Sequence, residues 1–343
     1  MSNLKVNSIN DANGGNTAKL YGVSMRDGGT GWVNRIINGD MQVAQRGNLI
    51  LSANGTTFGG PDRFFLTVGG FSTVSVIALQ AGAVFPGSAY CYQIGNLLTT
   101  GGPGTVTVTQ RIESANSYDL NSQPVTITLK VLQQTGASVN AQIVLRKPST
   151  KDNFASVSLV ANSSLIPVPD STITTLTFTT TLGASDASNG LQVELYFPTM
   201  PATASKQIYI GQWQLEAGSV ATPFERRDYG RELMMCQRYL PAWSGSGPIS
   251  SGWCAGSTSA FAEIALPVAP RVAPTGITVS SASHFAVYNS GAGSVTCTSV
   301  IFNQGSLSSL RLNVGVASGL VAGNGTGFVG AGAAQLLATG CEL

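Results

Sequence analysis

Apolar and polar residues alternate with a period of two along most of this chain, the pattern of strands that turn one face to a core. Val106, Val108 and Ile112 mostly alternate with polar neighbours, and Val125, Ile127, Leu129 and Val131 do so cleanly. The same period runs through Leu191, Val193, Leu195 and Phe197, then through Tyr209, Gly211, Trp213 and Leu215. Turn clusters such as Gly101-Gly102-Pro103-Gly104 and Ser188-Asn189-Gly190 separate the runs. Short strands at this spacing predict an antiparallel, jelly-roll-like β-sandwich over residues 34–227.

One stretch breaks the pattern. Tyr229, Leu233, Cys236 and Leu240 recur at helical spacing and predict a connecting helix over 228–240, about three turns long. Its start has two readings. Thr222, Pro223 and Glu225 have the form of a capping box with proline at the first helical position. Asp228 could instead cap a helix beginning at Tyr229. The second is preferred, because Gly230 then falls in the first turn rather than mid-helix, where it costs about 1 kcal/mol relative to alanine.

After Leu240 the composition shifts. Pro241 and Ser244-Gly245-Ser246-Gly247-Pro248 read as a linker-like break. Strands are predicted at 260–266, 275–281, 295–302 and 310–316, making residues 241–343 a C-terminal β domain and the whole chain all-β. The prolines of Leu266–Thr275 suit an edge or a crossover rather than a central strand. At the other end, residues 1–33 are polar and glycine-rich, with only Leu4, Val6 and Ile9 as a short apolar element. Such an arm buries too little surface by itself and needs a partner.

Two ordered blocks carry a family resemblance. The first is Asn34-Arg35-x-Ile37-Asn38-Gly39-Asp40-Met41-Gln42-Val43-x-Gln45-Arg46-Gly47 with Asp62-Arg63-Phe64. The second is Trp213-x-Leu215-Glu216-x-Gly218-Ser219-x-Ala221-Thr222-Pro223-Phe224-Glu225-Arg226-Arg227, followed by Glu232-Leu233 and Cys236-Gln237-Arg238-Tyr239. Together they resemble segments of bacteriophage tail-fibre and related virion proteins. The resemblance covers residues 34–240 and is looser outside them. It implies that the blocks are the first and last strands of a carbohydrate-binding-module-like sandwich. The opening Leu4-Lys5-Val6-Asn7-Ser8-Ile9-x-Asp11 is separately similar to the N-terminal segment of phage fibre proteins, which implies that it docks the protein, through Leu4, Val6 and Ile9, onto another virion protein of the tail, baseplate or capsid.

Composition narrows the picture. Charged residues are 10% of the chain, against about 25% in typical proteins, so the surface is built largely from Ser, Thr, Asn, Gln and Gly. A net charge of +2 without any Lys/Arg stripe argues against a nucleic-acid partner. From Tyr239 onward only Glu263, Arg271, Arg311 and Glu342 are charged. A lone domain so poor in charge is hard to keep soluble, which suggests an oligomer. The small residues near the C-terminus point to three copies around a common axis. The uncharged tract from Leu312 to Gly340 is too rich in glycine for a membrane-spanning helix. Five scattered cysteines and the absence of a secretory h-region suggest synthesis in a host cytoplasm.

Catalytic patterns are missing. The single histidine, His284, sits on a predicted strand, and there is no Gly-x-Ser-x-Gly elbow, phosphate-cradling loop or metal-ligand spacing. Glycoside hydrolysis needs only two carboxylates, yet no acid stands among aromatics except Glu194 beside Tyr196 and Phe197. Asp40, Arg46, Asp62 and Arg63 suggest a site, but the ordinary reading is that Asp62 and Arg63 help tie the first strands to the sandwich edge. The expectation is therefore a non-enzymatic, homotrimeric fibre or spike subunit without cofactor or metal. It would contact host polysaccharide through distal β domains, with Trp243, Trp253 and Tyr288 as candidate sugar-stacking residues; packing is the ordinary role for each. A capsid decoration protein and a polysaccharide-degrading enzyme are the alternatives.

Overall fold

The computed structural model describes residues 19–20, 23–24, 33–52, 54–70, 75–98, 104–201, 206–289 and 293–343. Leu4, Val6 and Ile9 lie outside them. The described chain divides into two compact units, one reaching Asp228 and including Leu343, the other Tyr229–Glu342.

The first unit is an antiparallel sandwich. Besides the short pair β1 (Lys19–Leu20) and β2 (Val23–Ser24), its strands are β3 (Leu49–Leu51), β4 (Gly55–Phe58), β5 (Phe64–Gly69), β6 (Ser75–Gly82), β7 (Tyr90–Leu98) and β8 (Gly104–Ile112). They continue as β9 (Pro124–Gln134), β10 (Val139–Thr150), β11 (Asn153–Asn162), β12 (Ile166–Val168), β13 (Thr174–Thr181), β14 (Leu191–Met200) and β15 (Gln207–Ala217). One sheet has the order β11-β10-β14-β8-β5-β4, with β12 added against β10; the other has β13-β9-β15-β7-β6-β3. The chain repeatedly passes from sheet to sheet, as from β7 to β8 to β9 to β10, so one core serves both. The alternating residues of β8, β9 and β14 named above are 0–3% exposed and meet in that core.

β15 departs from the simple alternation. Ile208 and Ile210 face the core in its first half, Trp213 and Leu215 in its second, because the ladder slips between Gly211 and Gln214. Gln212 takes φ +48° at this bulge. One extra residue inverts the facing of everything after it, so Tyr209 and Gly211 do not share the core side with Trp213 as the period suggested.

The first motif block is not a strand but an irregular segment laid against β15, with positive φ at Asn38 and Met41. The two blocks lock together by buried polar contacts. Asn34 donates to the Trp213 carbonyl at 2.9 Å and accepts from the Ile36 and Leu215 amides at 2.9 and 3.1 Å. Glu225 accepts from the Asn34 amide at 2.7 Å, and Arg227 donates to the carbonyls of Asn34 and Ile36. Thr222 is no helix cap: its amide and hydroxyl both donate to Glu216. Asp62 accepts from the amide and side chain of Gln45, Arg63 donates to the Arg111 carbonyl, and Arg46 lies over Phe58. Asp40 meets Arg226 at 3.1 Å and accepts from Ser88. Burial lifts the Asp40 carboxyl above its ordinary range despite the Ser88 and Arg226 contacts.

The second unit opens with α1 (Tyr229–Gln237), starting directly after Asp228. It is shorter than predicted and turns Glu232 and Cys236 inward, while Tyr229 is 55% exposed. Leu240 lies past the helix end but is buried. Then follow β16 (Ala242–Ser244), β17 (Gly247–Cys254), β18 (Ser259–Ala265), β19 (Gly276–Val279), β20 (Phe285–Asn289), β21 (Gly293–Gly305), β22 (Ser309–Val316), β23 (Gly325–Gly330) and β24 (Gln335–Thr339). Six of them close a barrel in the order β17-β18-β22-β21-β20-β23, and β16-β24-β19 form a separate small sheet. The barrel is filled by Ile264, Leu312, Val314 and the stacked pair Phe285–Phe328, centroids 5.3 Å apart. The proline-rich 266–275 stretch is a crossover out of the barrel. His284 closes a 3-10 turn, Ala282–His284, rather than lying on a strand. The Leu312–Gly340 tract resolves into the end of β22, then β23 and β24. Among the described residues no helix is long and apolar enough to cross a membrane.

Candidate functional site

The outward face of the β11-β10-β14-β8 sheet carries a groove of about 280 Å³. The pairing that puts hydrophobic residues in the core aligns their neighbours outside. Thr107, Tyr196 and Gln142 form one row across β8, β14 and β10; Thr109, Glu194, Val144 and Asn162 form the next, reaching β11. A third row holds Arg111, Gln192, Arg146 and Leu159.

Hydrogen bonds brace this face. Arg146 Nε donates to Glu194 Oε1 at 2.9 Å, and Gln192 Nε2 donates to the same oxygen at 2.6 Å. Arg111 Nε donates to Gln192 at 3.0 Å while its guanidinium stacks at 4.6 Å over Phe65 and 5.2 Å over Phe154. The groove itself is lined by Thr107, Gln142, Val144, Arg146, Leu159, Asn162, Glu194 and Tyr196. Leu159 is 52% exposed. The lining offers one aromatic ring, an apolar edge, amides, a hydroxyl and an ion pair that cancels its own charge. Such a set suits a neutral, hydroxyl-rich ligand. Hydrolysis of a glycosidic bond needs two carboxylates across the scissile bond, and this lining holds only Glu194, already engaged twice. Among the described residues no three His, Cys, Asp or Glu side chains gather as metal ligands.

Of the three candidate sugar-stacking residues, Trp243 parts from the other two. Trp243 lies on β16 opposite Leu336 and packs against the second core. Trp253 on β17 and Tyr288 on β20 are 39% and 54% exposed on the outside of the barrel. Of the groove, only Glu194 and Tyr196 stood out in the sequence. Thr107, Gln142, Arg146 and Asn162 were overlooked, although the available signal was the polar half of the alternation that located the core.

No protein-family model and no curated protein matches the chain. Among solved structures it is similar to one described under "Structural basis for the promiscuous specificity of the carbohydrate-binding modules from the beta-sandwich super family". That match has 12% identity and a TM-score of 0.35, over 48% of this chain and 62% of that one. A putative sugar binding protein from Bacteroides thetaiotaomicron matches with 8% identity and a TM-score of 0.35, over 54% and 99%. A structure described as "CBM4 structure and function" matches with 16% identity and a TM-score of 0.32, over 52% and 97%. These are distant likenesses, and the sandwich architecture rests on the two sheets described above.

Proposed function

We propose that this chain is a non-catalytic attachment subunit of a bacteriophage virion, of the tail-fibre or tail-spike kind, which holds saccharide on its β domains. The observation that carries the saccharide reading is the groove beside Tyr196, with its amide and hydroxyl lining and its self-neutralised Arg146–Glu194 pair. The virion role is supported by the resemblance of the two motif blocks to segments of bacteriophage fibre proteins; in the fold the blocks meet, Asn34 bonding to Trp213 and Leu215 of β15 and Arg227 to the Ile36 carbonyl. In this reading residues 1–33 dock to another virion protein, and three copies assemble, hiding part of the region from Tyr239 onward, where only Glu263, Arg271, Arg311 and Glu342 are charged.

The test is calorimetric titration of the full-length protein with purified bacterial envelope polysaccharides, beside the Tyr196→Ala variant and with an assay for reducing ends. Binding that weakens about tenfold in the variant, with no new reducing ends, supports the reading. Saccharide release sinks the non-catalytic part, and unchanged binding in the variant removes the groove. Light scattering on the same sample reads the assembly: a mass other than three chains overturns the trimer.

A further inference from the structure

The outer wall of the barrel carries a second arrangement. β23 begins Gly325-Thr326-Gly327-Phe328. Phe328 belongs to the barrel core, so alternation places Gly325 and Gly327 on the outer wall. Glycine weakens a strand interior and usually marks a bulge, a positive φ, a crowded Cβ or the close approach of something from outside. The ladders here are regular: Gly325 pairs with Trp253 and Gly327 with Ser251 on β17, while Gly327 pairs with Tyr288 on β20. Neither glycine has positive φ. A Cβ at 325 would meet nothing within 4 Å, and one at 327 would touch only the Tyr288 Cβ at an ordinary 3.6 Å. Neither φ nor crowding requires glycine at 325 or 327, so this part of the wall is bare and open to close approach from outside.

Exposed aromatics border this bare strip on both sides. Trp253 and Tyr288 stand two strands and two residues apart, roughly 12 Å between Cα atoms by strand geometry. Trp253 is braced from β18 and β22: Phe261 packs on it at 5.3 Å between centroids, and the Arg311 guanidinium lies 5.3 Å over its ring. Arg311 is in turn paired with Glu263. On the β23 side the indole has only glycine beside it in the ladder. The charges next to the strip cancel, and Ser251 and Asn313 add a hydroxyl and an amide on the same wall. A charged ligand would find no net counter-charge here. A neutral one with flat apolar faces and a rim of hydroxyls fits, which is the chemistry of a linear sugar chain.

We infer that the strip between Trp253 and Tyr288 is a second saccharide site, one that binds a neutral linear oligosaccharide with its rings over the two aromatics and its chain across Gly325 and Gly327. It rests on the saccharide reading above but on a separate surface. The test titrates the full-length protein with a panel of neutral glucan, mannan and galactan hexasaccharides, reading stoichiometry and affinity. Four proteins are compared: wild type, Tyr196→Ala, Trp253→Ala and Gly325→Lys. The lysine fills the strip from a position where a side chain meets open space. The expected result is a site that survives in Tyr196→Ala and loses at least about tenfold in affinity in both Trp253→Ala and Gly325→Lys. Wild-type affinity in Gly325→Lys, or no binding by any panel member in Tyr196→Ala, overturns the inference. So does a drop in mass by light scattering in Gly325→Lys without loss of sugar binding, since another copy would then occupy the strip. Loss in Tyr196→Ala alone would leave the groove standing and this site refuted; the reverse would do the opposite.

Discussion

The two units hold their strands in register by different means. In the sandwich, an irregular segment is joined to the last strand through Asn34 and to the stretch after that strand through Glu225 and Arg227, polar groups that lie largely inside the protein. The barrel uses apolar filling and closure, which leaves its six strands no open edge. A buried polar knot specifies one arrangement sharply, because every donor left unpaired in another arrangement costs free energy. A closed barrel gets the same selectivity from topology and tolerates a surface almost without charge.

Breaking each device separately tests the contrast. The largest effect is expected from Phe328→Ala, which removes half of the stacked pair inside the barrel and should cost about 3–5 kcal/mol. In chemical denaturation this shifts the transition of the second unit and leaves that of the first in place. Asn34→Ala should do the converse, at about 3 kcal/mol, because it strands the Trp213 carbonyl and the amides of Ile36 and Leu215. A single shared transition that moves equally in both variants would show that the units do not unfold separately.

Thiol labelling sharpens the same comparison. All five cysteines are free and buried. Burial pushes the Cys91 thiol up to about 11 and Cys297 up to about 12. The native protein should therefore react slowly with a disulfide reagent at neutral pH. Asn34→Ala should speed labelling at Cys91 and Phe328→Ala at Cys297, read by mass spectrometry of the digested protein. Fast labelling of both in the wild type would contradict the burial.

The smallest expected effects are pH-dependent and opposite in sign within the sandwich. Lys147, 2.7 Å from Asp186, holds that carboxyl below its ordinary value. Its stabilisation is present above the unfolded pKa of 3.8 and is lost as pH falls through the folded value. Asp40 is raised instead, chiefly by burial. The native state keeps its proton where the unfolded chain has lost it, so its contribution declines as pH rises from 3.8 through the folded value. Asp186→Asn should flatten the acid limb of a stability–pH curve, and Asp40→Asn should remove the decline on the other side. Equal slopes in wild type and variants would refute both assignments.

The local pattern by itself determined the all-β class, the core faces of β8, β9 and β14, and a helix starting at Tyr229, because period and capping are properties of neighbouring residues. It also noted Glu194 beside Tyr196 and Phe197 as an acid among aromatics, and Trp243, Trp253 and Tyr288 as residue types suited to stacking on sugar. Only the tertiary structure decided which of these meet. The bulge at Gln212 that turns Trp213 inward depends on the ladder with β9, whose partners lie some eighty residues away. Thr222 pairs with Glu216 instead of capping a helix because Gln214, Glu216 and Glu225 already form one hydrogen-bonded cluster. Trp243 lies against the core while Trp253 stands beside bare glycine, a difference set by which strands the chain returns to β16 and β17. Strand pairing joins residues far apart in the chain, and neither an alternating pattern nor a residue type records which partner a strand will take.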